Sequence, residues 1–304
     1  MDKISSNPPY LKAGDSVGIV APARKITYSE LEPSIRIFNE WGLNVVLGDA
    51  IFNSDNQYSG TDSERAQDFQ KMLDDENIKA IFCARGGYGT VRIIDKLDFA
   101  KFIKNPKWIV GYSDITVLHS HIHNISGIET LHAAMPVNFS GSDYSTATLA
   151  TLKNALFGKS LKYTIKAHPL NKEGVAQGVL VGGNLSVLYS LIGSKSDTDT
   201  KDKILFIEDL DEYLYHIDRM MMCLKRAGKL DHLSGLIVGG MNKMNDNTVP
   251  FGKTPYEIIK ETINEYAFPV CFNFPAGHIK DNRAIIMGRR INMQINNKVT
   301  INFY

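Results

Sequence analysis

Residues 108–116 read Trp108-Ile109-Val110-Gly111-Tyr112-Ser113-Asp114-Ile115-Thr116. The apolar, β-branched start predicts a strand, Gly111 predicts a sharp turn, and a helical pattern follows Ser113. A serine at such a turn presents its hydroxyl beside a helix N-terminus, which favours developing negative charge, as an acyl-transfer nucleophile requires. The match to the G-x-S-x-G pattern is partial, because Ile115 takes the place of the second glycine. By itself the stretch favours a simpler interpretation, a loop in which Ser113 or Asp114 caps the next helix.

The first half of the chain alternates strand and helix patterns. Strands are predicted at residues 16–21, 43–47, 80–83 and 108–110. Capping boxes at residues 29–32 and 61–64 predict the starts of two helices, and a helix is predicted to follow the glycine-rich turn and run through Leu97. Repeated units of this kind predict an α/β fold with a parallel sheet covered by helices on both faces. Ligands of such sheets bind beyond the carboxyl ends of the strands, where the two glycine-rich turns, after Ala84 and Val110, are expected to lie.

The pattern changes in the second half. A last helix is predicted at 146–157, followed by a polar linker at 159–173. The strand, helix and hairpin patterns beyond it are at 174–181, 203–207, 234–238 and 269–273 (strands), at 184–193, 212–228 and 254–266 (helices), and at 291–303 (hairpin). These patterns predict a second, mixed α/β domain that starts near residue 170. We therefore expect one domain over residues 1–160 and another over residues 161–304.

Composition excludes several classes of protein. The 304 residues include 43% hydrophobic and 22% charged residues with a net charge of +1, as in soluble globular proteins. No basic tract stands out, so no nucleic-acid partner is expected. No apolar run approaches the ~18 residues of a membrane span, and residues 1–16 have no apolar stretch, so neither membrane association nor a signal peptide is expected. Three well-separated cysteines suit the cytoplasm, with Cys83 and Cys271 expected in the core.

Three further segments carry residues able to do chemistry. The first, Arg85-Gly86-Gly87-Tyr88-Gly89-Thr90, follows a strand and is either a tight turn or a loop whose N–H groups approach a ligand; it lacks the Lys-Ser/Thr of a nucleotide-binding loop. Glu208 and Asp209 end a strand, where they either line a site or cap the next helix. His278 follows a Pro-Ala-Gly loop and is either a general base or a structural histidine.

A cluster of histidines lies at His119, His121 and His123. On a helix, His119 and His123 would share one face, as a pair of metal ligands does. The sequence offers neither the H-E-x-x-H pattern nor a third ligand nearby. We therefore expect no metal site here, and instead a partly buried helix or an interface.

Together these segments resemble the LD-carboxypeptidase family of serine peptidases, which includes the muramoyltetrapeptide carboxypeptidases and the microcin C self-immunity proteins. The resemblance covers most of the chain. Its motifs, in order, are Leu11-Lys12-Ala13-Gly14-Asp15 with Val20-Ala21-Pro22-Ala23, Gly60-Thr61-Asp62 with Glu64-Arg65-Ala66, Arg85-Gly86-Gly87-Tyr88-Gly89, Gly111-Tyr112-Ser113-Asp114-Ile115-Thr116, Gly182-Gly183-Asn184-Leu185, Leu205-Phe206-Ile207-Glu208-Asp209 and Phe274-Pro275-Ala276-Gly277-His278.

The resemblance implies a Ser-Glu-His triad with Ser113 as nucleophile, Glu208 as orienting carboxylate and His278 as general base. It implies a flavodoxin-like, class I glutamine amidotransferase-like N-terminal domain and a smaller, swivelling β/α C-terminal domain that carries Glu208 and His278. The site is then assembled between the domains. Family members are typically cytoplasmic homodimers that need no cofactor and recycle murein peptides.

On this basis the backbone N–H groups of Asp114 and Gly87 are the expected oxyanion donors. Arg85, Gly86 and Asn184 are expected to contact substrate. Arg85 would meet the carboxylate of the leaving D-alanine, unless it forms a structural ion pair under the turn. The predicted reaction is hydrolysis of the bond between an L-centred diamino acid and terminal D-alanine in a murein tetrapeptide. The alternatives are a microcin C self-immunity-type amidase that cleaves a peptidyl-aminoacyl-nucleotide, and a non-catalytic protein that binds small molecules.

Overall fold

The computed structural model describes residues 7–140 and 144–304, and within these ranges the chain forms two β-sheets with helices packed against them. Residues 1–6, part of the segment in which no signal peptide is expected, lie outside the described residues. The strands are β1 (Ser16–Val20), β2 (Asn44–Leu47), β3 (Ile78–Cys83), β4 (Trp108–Gly111), β5 (Thr130–His132), β6 (Lys162–Lys166), β7 (Gly174–Asn184), β8 (Ile204–Leu210), β9 (Gly235–Asn242), β10 (Val270–Cys271), β11 (Ile285–Met287), β12 (Arg290–Ile295) and β13 (Lys298–Phe303). The α-helices are α1 (Tyr28–Glu40), α2 (Asp62–Asp74), α3 (Ala100–Lys104), α4 (Thr116–Ser126), α5 (Thr146–Leu156), α6 (Leu185–Leu191), α7 (Leu214–Arg226) and α8 (Pro255–Thr262).

The first sheet has the strand order β11-β5-β4-β3-β1-β2. Neighbours from β2 to β5 are parallel, and β11 adds an antiparallel edge, with Ile285 opposite His132. All four residues of β4 are buried. This is why the central strands are continuous apolar runs rather than alternating patterns, as a parallel sheet covered on two faces requires.

The second sheet has the order β10-β9-β8-β7-β12-β13-β6. Strands β10, β9, β8 and β7 are parallel, whereas β7, β12, β13 and β6 pair antiparallel. The long strand β7 joins the two parts, because its beginning pairs with β12 and its end with β8. The sheets meet where the end of β7 contacts the start of α4, through a hydrogen bond of 2.9 Å from the Asn184 N–H to Thr116 Oγ1.

Several predictions at the level of elements are confirmed. Helix α2 begins at a capping box formed by Thr61 and Glu64, and the final hairpin is formed by β12 and β13. Cys83 and Cys271 are buried free thiols. Helix α4 is largely buried, and His119 Nε2 donates to Gly111 O while its Nδ1 is hydrogen-bonded to Thr130 Oγ1, so the alternative of a buried helix is confirmed. A role of this helix as an interface stays a prediction.

Other predictions at this level are wrong. The segment 159–173 is not only a linker, because it contains β6, whose Tyr163 is buried while its lysines face outward. Helix α1 is capped by Thr27 with Glu30, not by Ser29 with Glu32; both pairs have the same spacing, which the sequence does not distinguish. The helix expected after the glycine-rich turn is two short 3₁₀ turns.

No helix in the described part of the chain is both long and apolar enough to cross a membrane.

Candidate active site

Ser113 lies on a strained turn between β4 and α4. Its φ is +65°, a left-handed conformation that costs a residue with a side chain about 1–2 kcal/mol. Strand β4 ends at Gly111, where an added Cβ would lie 2.8 Å from Ile115 Cγ1, so only glycine allows the chain to fold back so tightly. The turn therefore has the geometry of a nucleophile elbow, although Ile115 replaces its second glycine.

The glycine-rich loop of residues 85–90 packs against this turn. A Cβ at Gly86 would lie 3.0 Å from Ser113 Cβ and 3.2 Å from Ser113 Oγ. The buried carboxylate of Asp114 accepts a hydrogen bond of 2.8 Å from the Thr90 N–H, which fastens the loop to the turn. Burial raises the pKa of Asp114, partly offset by the hydrogen bonds from Thr90. Within the described residues, the N–H groups of Asp114 and Gly87 have no acceptor, so both are free to bind a ligand atom.

Glu208 and His278 form a directly hydrogen-bonded pair. His278 Nδ1 lies 2.7 Å from Glu208 Oε2, and the His278 N–H donates to the same oxygen at 3.1 Å. Glu208 is at the buried end of β8, and His278 is on the loop after β10. Gly277 has a φ of +103°, and a Cβ there would lie 2.5 Å from Glu208 Oε2, so glycine is needed for the histidine to approach the carboxylate.

The structure brings the pair against the serine turn. The ring of His278 packs on that of Tyr112, with 4.8 Å between centroids, and Tyr112 immediately precedes Ser113. No hydrogen bond joins Ser113 to His278 within the described residues. Hydrogen bonds of this kind are often long in enzymes without substrate and shorten in the reacting complex.

The charges of the pair stabilise each other. Burial would raise the pKa of Glu208, but His278, with His132 nearby, holds it below its usual range. Burial would likewise lower the pKa of His278, but the charge of Glu208 raises it above the usual value. The neighbouring Asp209 differs, because burial and the charge of Glu208 raise its pKa to about 7. Glu208 is therefore suited to stay ionised and to fix the tautomer of His278.

A cleft of about 420 Å³ opens beside His278 and Tyr112. Its polar lining includes residues that the sequence analysis missed, namely Asn138, Asn242, Lys243, Lys280 and Asn282. Asn242 Nδ2 donates to the His278 carbonyl at 3.0 Å, and Asn282 Oδ1 accepts from the Gly277 N–H at 2.8 Å, so both hold the loop that carries the histidine. The position of Asn242 at the end of β9 was a usable signal, because ligands bind at the carboxyl ends of parallel strands.

The other predicted substrate residues already have partners. Arg85 Nη1 lies 3.0 Å from Glu30 Oε1 in a partly exposed ion pair. The buried amide of Asn184 caps α6 through Oδ1, and its Nδ2 donates to Asp209 Oδ1 at 2.9 Å. Among the residues that the structure describes, no group of three or more His, Cys, Asp or Glu side chains is placed to hold a metal ion.

The comparisons with known proteins agree across both halves of the chain. The sequence profile of the LD-carboxypeptidase N-terminal domain matches residues 17–133, and that of the C-terminal domain matches residues 177–293. A probable murein peptide carboxypeptidase of Bacillus subtilis strain 168 is 36% identical over 305 residues, covering 98% of this chain and 94% of that protein.

Solved structures give the same result. The muramoyltetrapeptide carboxypeptidase from Oxalobacter formigenes has a TM-score of 0.87 at 25% identity, covering 95% of this chain and 98% of that one. Wild-type microcin C7 self-immunity protein MccF has a TM-score of 0.87 at 24% identity, covers 97% of each chain, and shares the fold. The protein is therefore an enzyme, a serine carboxypeptidase. It belongs to the LD-carboxypeptidase family.

Proposed function

We propose that this enzyme is an LD-carboxypeptidase that releases terminal D-alanine from murein tetrapeptides and leaves tripeptides. The observation that carries the proposal is the hydrogen-bonded pair of Glu208 and His278, packed through Tyr112 against a serine held at positive φ. The names of the Bacillus and Oxalobacter relatives, which act on murein peptide and muramoyltetrapeptide, support this choice of substrate.

In the proposed mechanism, His278 Nε2 accepts the Ser113 proton as Oγ attacks the carbonyl carbon of the scissile bond. The Nδ1–H of His278 donates to Glu208, which stabilises the imidazolium that forms. The tetrahedral intermediate collapses, the C–N bond breaks, and His278 protonates the amine of D-alanine. Water, deprotonated by the same histidine, then hydrolyses the acyl-enzyme and restores the Ser113 hydroxyl.

The proposed oxyanion hole consists of the N–H groups of Asp114 and Gly87, which have no acceptor in the described structure. Gly87 adopts a φ of +108°, so its N–H direction depends on a backbone conformation that other residues rarely adopt. The side chain of Asp114 takes no part in this role, because its carboxylate accepts a hydrogen bond from the Thr90 N–H. Loss of one such donor typically lowers kcat by about 10²–10³-fold.

We expect Gly86→Ala to lower kcat about 100-fold, because the added Cβ, 3.0 Å from Ser113 Cβ, displaces the nucleophile, and a shift of about 1 Å has this cost. The measurement is steady-state release of D-alanine. Gly14→Ala is the control: its φ of +90° makes alanine strained, but nothing lies within 4 Å, so it should reduce stability and leave kcat intact. An unchanged kcat in Gly86→Ala would contradict the proposed position of Ser113.

For the carboxylate of the leaving D-alanine we propose Arg85, whose partly exposed ion pair with Glu30 can open to accept it. Lys243 and Lys280 in the cleft offer further positive charge. Gly86 is proposed to approach the substrate backbone. The Asn184 amide is already hydrogen-bonded to Asp209 and to the start of α6. In this proposal Asn184 therefore acts by holding α6 in position.

We also propose a flavodoxin-like N-terminal domain over residues 1–160, supported by the parallel order β2-β1-β3-β4-β5, and a smaller swivelling domain over residues 161–304. The proposed site then lies between them, with Ser113 on one and Glu208 and His278 on the other. A cytoplasmic homodimer remains the proposal that follows from family resemblance.

Mass spectrometry of defined substrates tests the proposed reaction. The expected result is conversion of a murein tetrapeptide to its tripeptide with release of D-alanine, while a matched tetrapeptide ending in L-alanine stays intact. The stereoisomer is the control for nonspecific peptidase activity. Cleavage of a peptidyl-aminoacyl-nucleotide alone would favour the microcin C type of amidase, and cleavage of neither substrate would contradict both activities.

A further inference from the structure

A second histidine faces the carboxylate of the proposed triad. His132 is completely buried, and neither of its ring nitrogens has a hydrogen-bond partner in the described structure. Glu208 Oε1, the oxygen that His278 does not use, also lacks a partner. These unpartnered groups face each other, with His132 Nε2 4.0 Å from Glu208 Oε1.

Two complementary buried groups left apart are energetically unfavourable. A buried donor or acceptor without a partner destabilises the folded state, and more so when the group is charged. A hydrogen bond between them would need the 4.0 Å separation to contract by about 1 Å, to the usual range for N–H···O. Because Glu208 is held ionised, its oxygen is an acceptor only, so His132 would be the donor through Nε2.

We propose that His132 is a positioning residue for the active site, donating from Nε2 to Glu208 Oε1 in the working enzyme. Glu208 is then held between two imidazoles, one on each carboxylate oxygen. This fixes the rotation of the carboxylate and thereby the orientation of the His278 ring. The inference rests on the proposed function, since it gives His132 a role only through the Ser113, Glu208 and His278 triad.

The placement of His132 links the two sheets. His132 ends β5 and lies opposite Gly111 of β4 in the register, just before the Ser113 turn. Glu208 belongs to β8 of the other sheet. The proposed hydrogen bond therefore connects the strand beside the nucleophile to the carboxylate that orients the base.

Among the residues that the structure describes, none competes for the ring nitrogens of His132. Its ring contacts those of Tyr112 and Phe206, with centroid distances of 5.8 and 5.0 Å. The nearest other imidazole, His119, is 6.2 Å away and is already bonded at both nitrogens to Gly111 O and Thr130 Oγ1. Burial lowers the pKa of His119 to about 3, so this neighbouring imidazole is neutral.

The kinetic test uses His132→Leu, which cannot donate, and His132→Gln, whose amide nitrogen reaches about as far as Nε2 and donates without titrating. We expect the leucine variant to lower kcat by up to about 100-fold with little change in KM, the cost of a misplacement of about 1 Å caused by a residue away from the chemistry. The glutamine variant should recover much of this loss. His121→Leu removes a buried histidine that bonds Ser196 instead, and should keep wild-type kcat.

Two kinetic results would overturn the proposal: wild-type kcat in folded His132→Leu, or equal losses in the leucine and glutamine variants, which would indicate packing alone.

A second readout needs no substrate and separates this proposal from the proposed function. In ¹⁵N-histidine NMR spectra, Glu208→Gln should move the His132 Nε2–H proton upfield, while His119 serves as an internal reference. An unmoved His132 signal contradicts the hydrogen bond even if the enzyme is an LD-carboxypeptidase. A shifted signal in an enzyme inactive on tetrapeptides supports the bond and contradicts only the substrate.

Discussion

Ser113→Ala is expected to lower kcat for D-alanine release by about 10⁶-fold, the cost of removing the nucleophile of a serine protease. Without Oγ no acyl-enzyme forms, and the residual rate comes from binding and the oxyanion donors alone. The fold should survive, because alanine fits the same space and the Glu208–His278 hydrogen bond does not involve Ser113. The measurement is turnover of the tetrapeptide at matched concentrations of folded protein.

Two further serine variants make this result interpretable. Ser113→Gly should be equally inactive but about 1 kcal/mol more stable than Ser113→Ala, because a φ of +65° strains alanine and not glycine. Ser120→Ala is the matched control. This hydroxyl on α4 is buried and has no hydrogen-bond partner within residues 7–140 and 144–304, so its loss should leave kcat unchanged. Substantial turnover by Ser113→Ala would rule out covalent catalysis at this position.

Glu208→Gln is expected to lower kcat by about 10⁴-fold, as neutralising the orienting carboxylate does in serine proteases. The amide can present its NH₂ to His278 Nδ1, which selects the wrong tautomer and leaves Nε2 protonated. The imidazolium formed during attack also loses its counter-charge, because the wild-type Glu208 carboxylate lies 2.7 Å from His278 Nδ1 and the amide is neutral. Both effects act on chemistry, so KM should change far less than kcat.

The same substitution gives a pH prediction of definite sign. His278 must be neutral to accept a proton, so kcat/KM falls as the pH drops through its pKa. Glu208 raises that pKa, and the wild-type acid limb should therefore lie above about pH 6.5, the usual value for histidine. Removing the charge lowers the pKa, so the residual activity of Glu208→Gln should fall off at a lower pH than that of the wild type.

The chain contains a matched control for this experiment. Glu212 also hydrogen-bonds a histidine, His216 Nδ1, but this pair is partly exposed on α7 and its preceding loop. Glu212→Gln should keep both the kcat and the acid limb of the wild type. A shift of the limb toward higher pH in Glu208→Gln, or no shift, would mean that another group controls the acid side of the profile.

Sequence patterns predicted the elements whose signals are local. The apolar runs of the central strands, the Thr61 capping box and the glycine turn before Ser113 each depend on neighbouring residues, and each is present in the structure. Strand β6 was missed because its outward lysines make the segment polar, although Tyr163 is buried against the core. Strands β5 and β11 are three residues each, too short for a periodic pattern.

The candidate site was less accessible from residue patterns. Glu208 and His278 are 70 residues apart, so nothing local relates them, and only the family resemblance predicted their pairing. The raised pKa of Asp209 and the lowered pKa of His119 arise from burial in the folded chain. His132 carries no sequence signal of its own, because its importance comes from the two unpartnered atoms that folding brings to 4.0 Å.

Strand β11 has a consequence for how the chain can be divided. Residues 285–287 return from the second half to close the edge of the first sheet beside β5. A fragment ending near residue 160 would leave the N–H and C=O groups of that edge unpaired, the kind of edge that recruits strands from other molecules. Recombinant halves of this enzyme would therefore be prone to aggregate. If the enzyme is expressed as two complementing fragments, the N-terminal fragment should carry the β11 sequence fused to it, so that the edge beside β5 is paired.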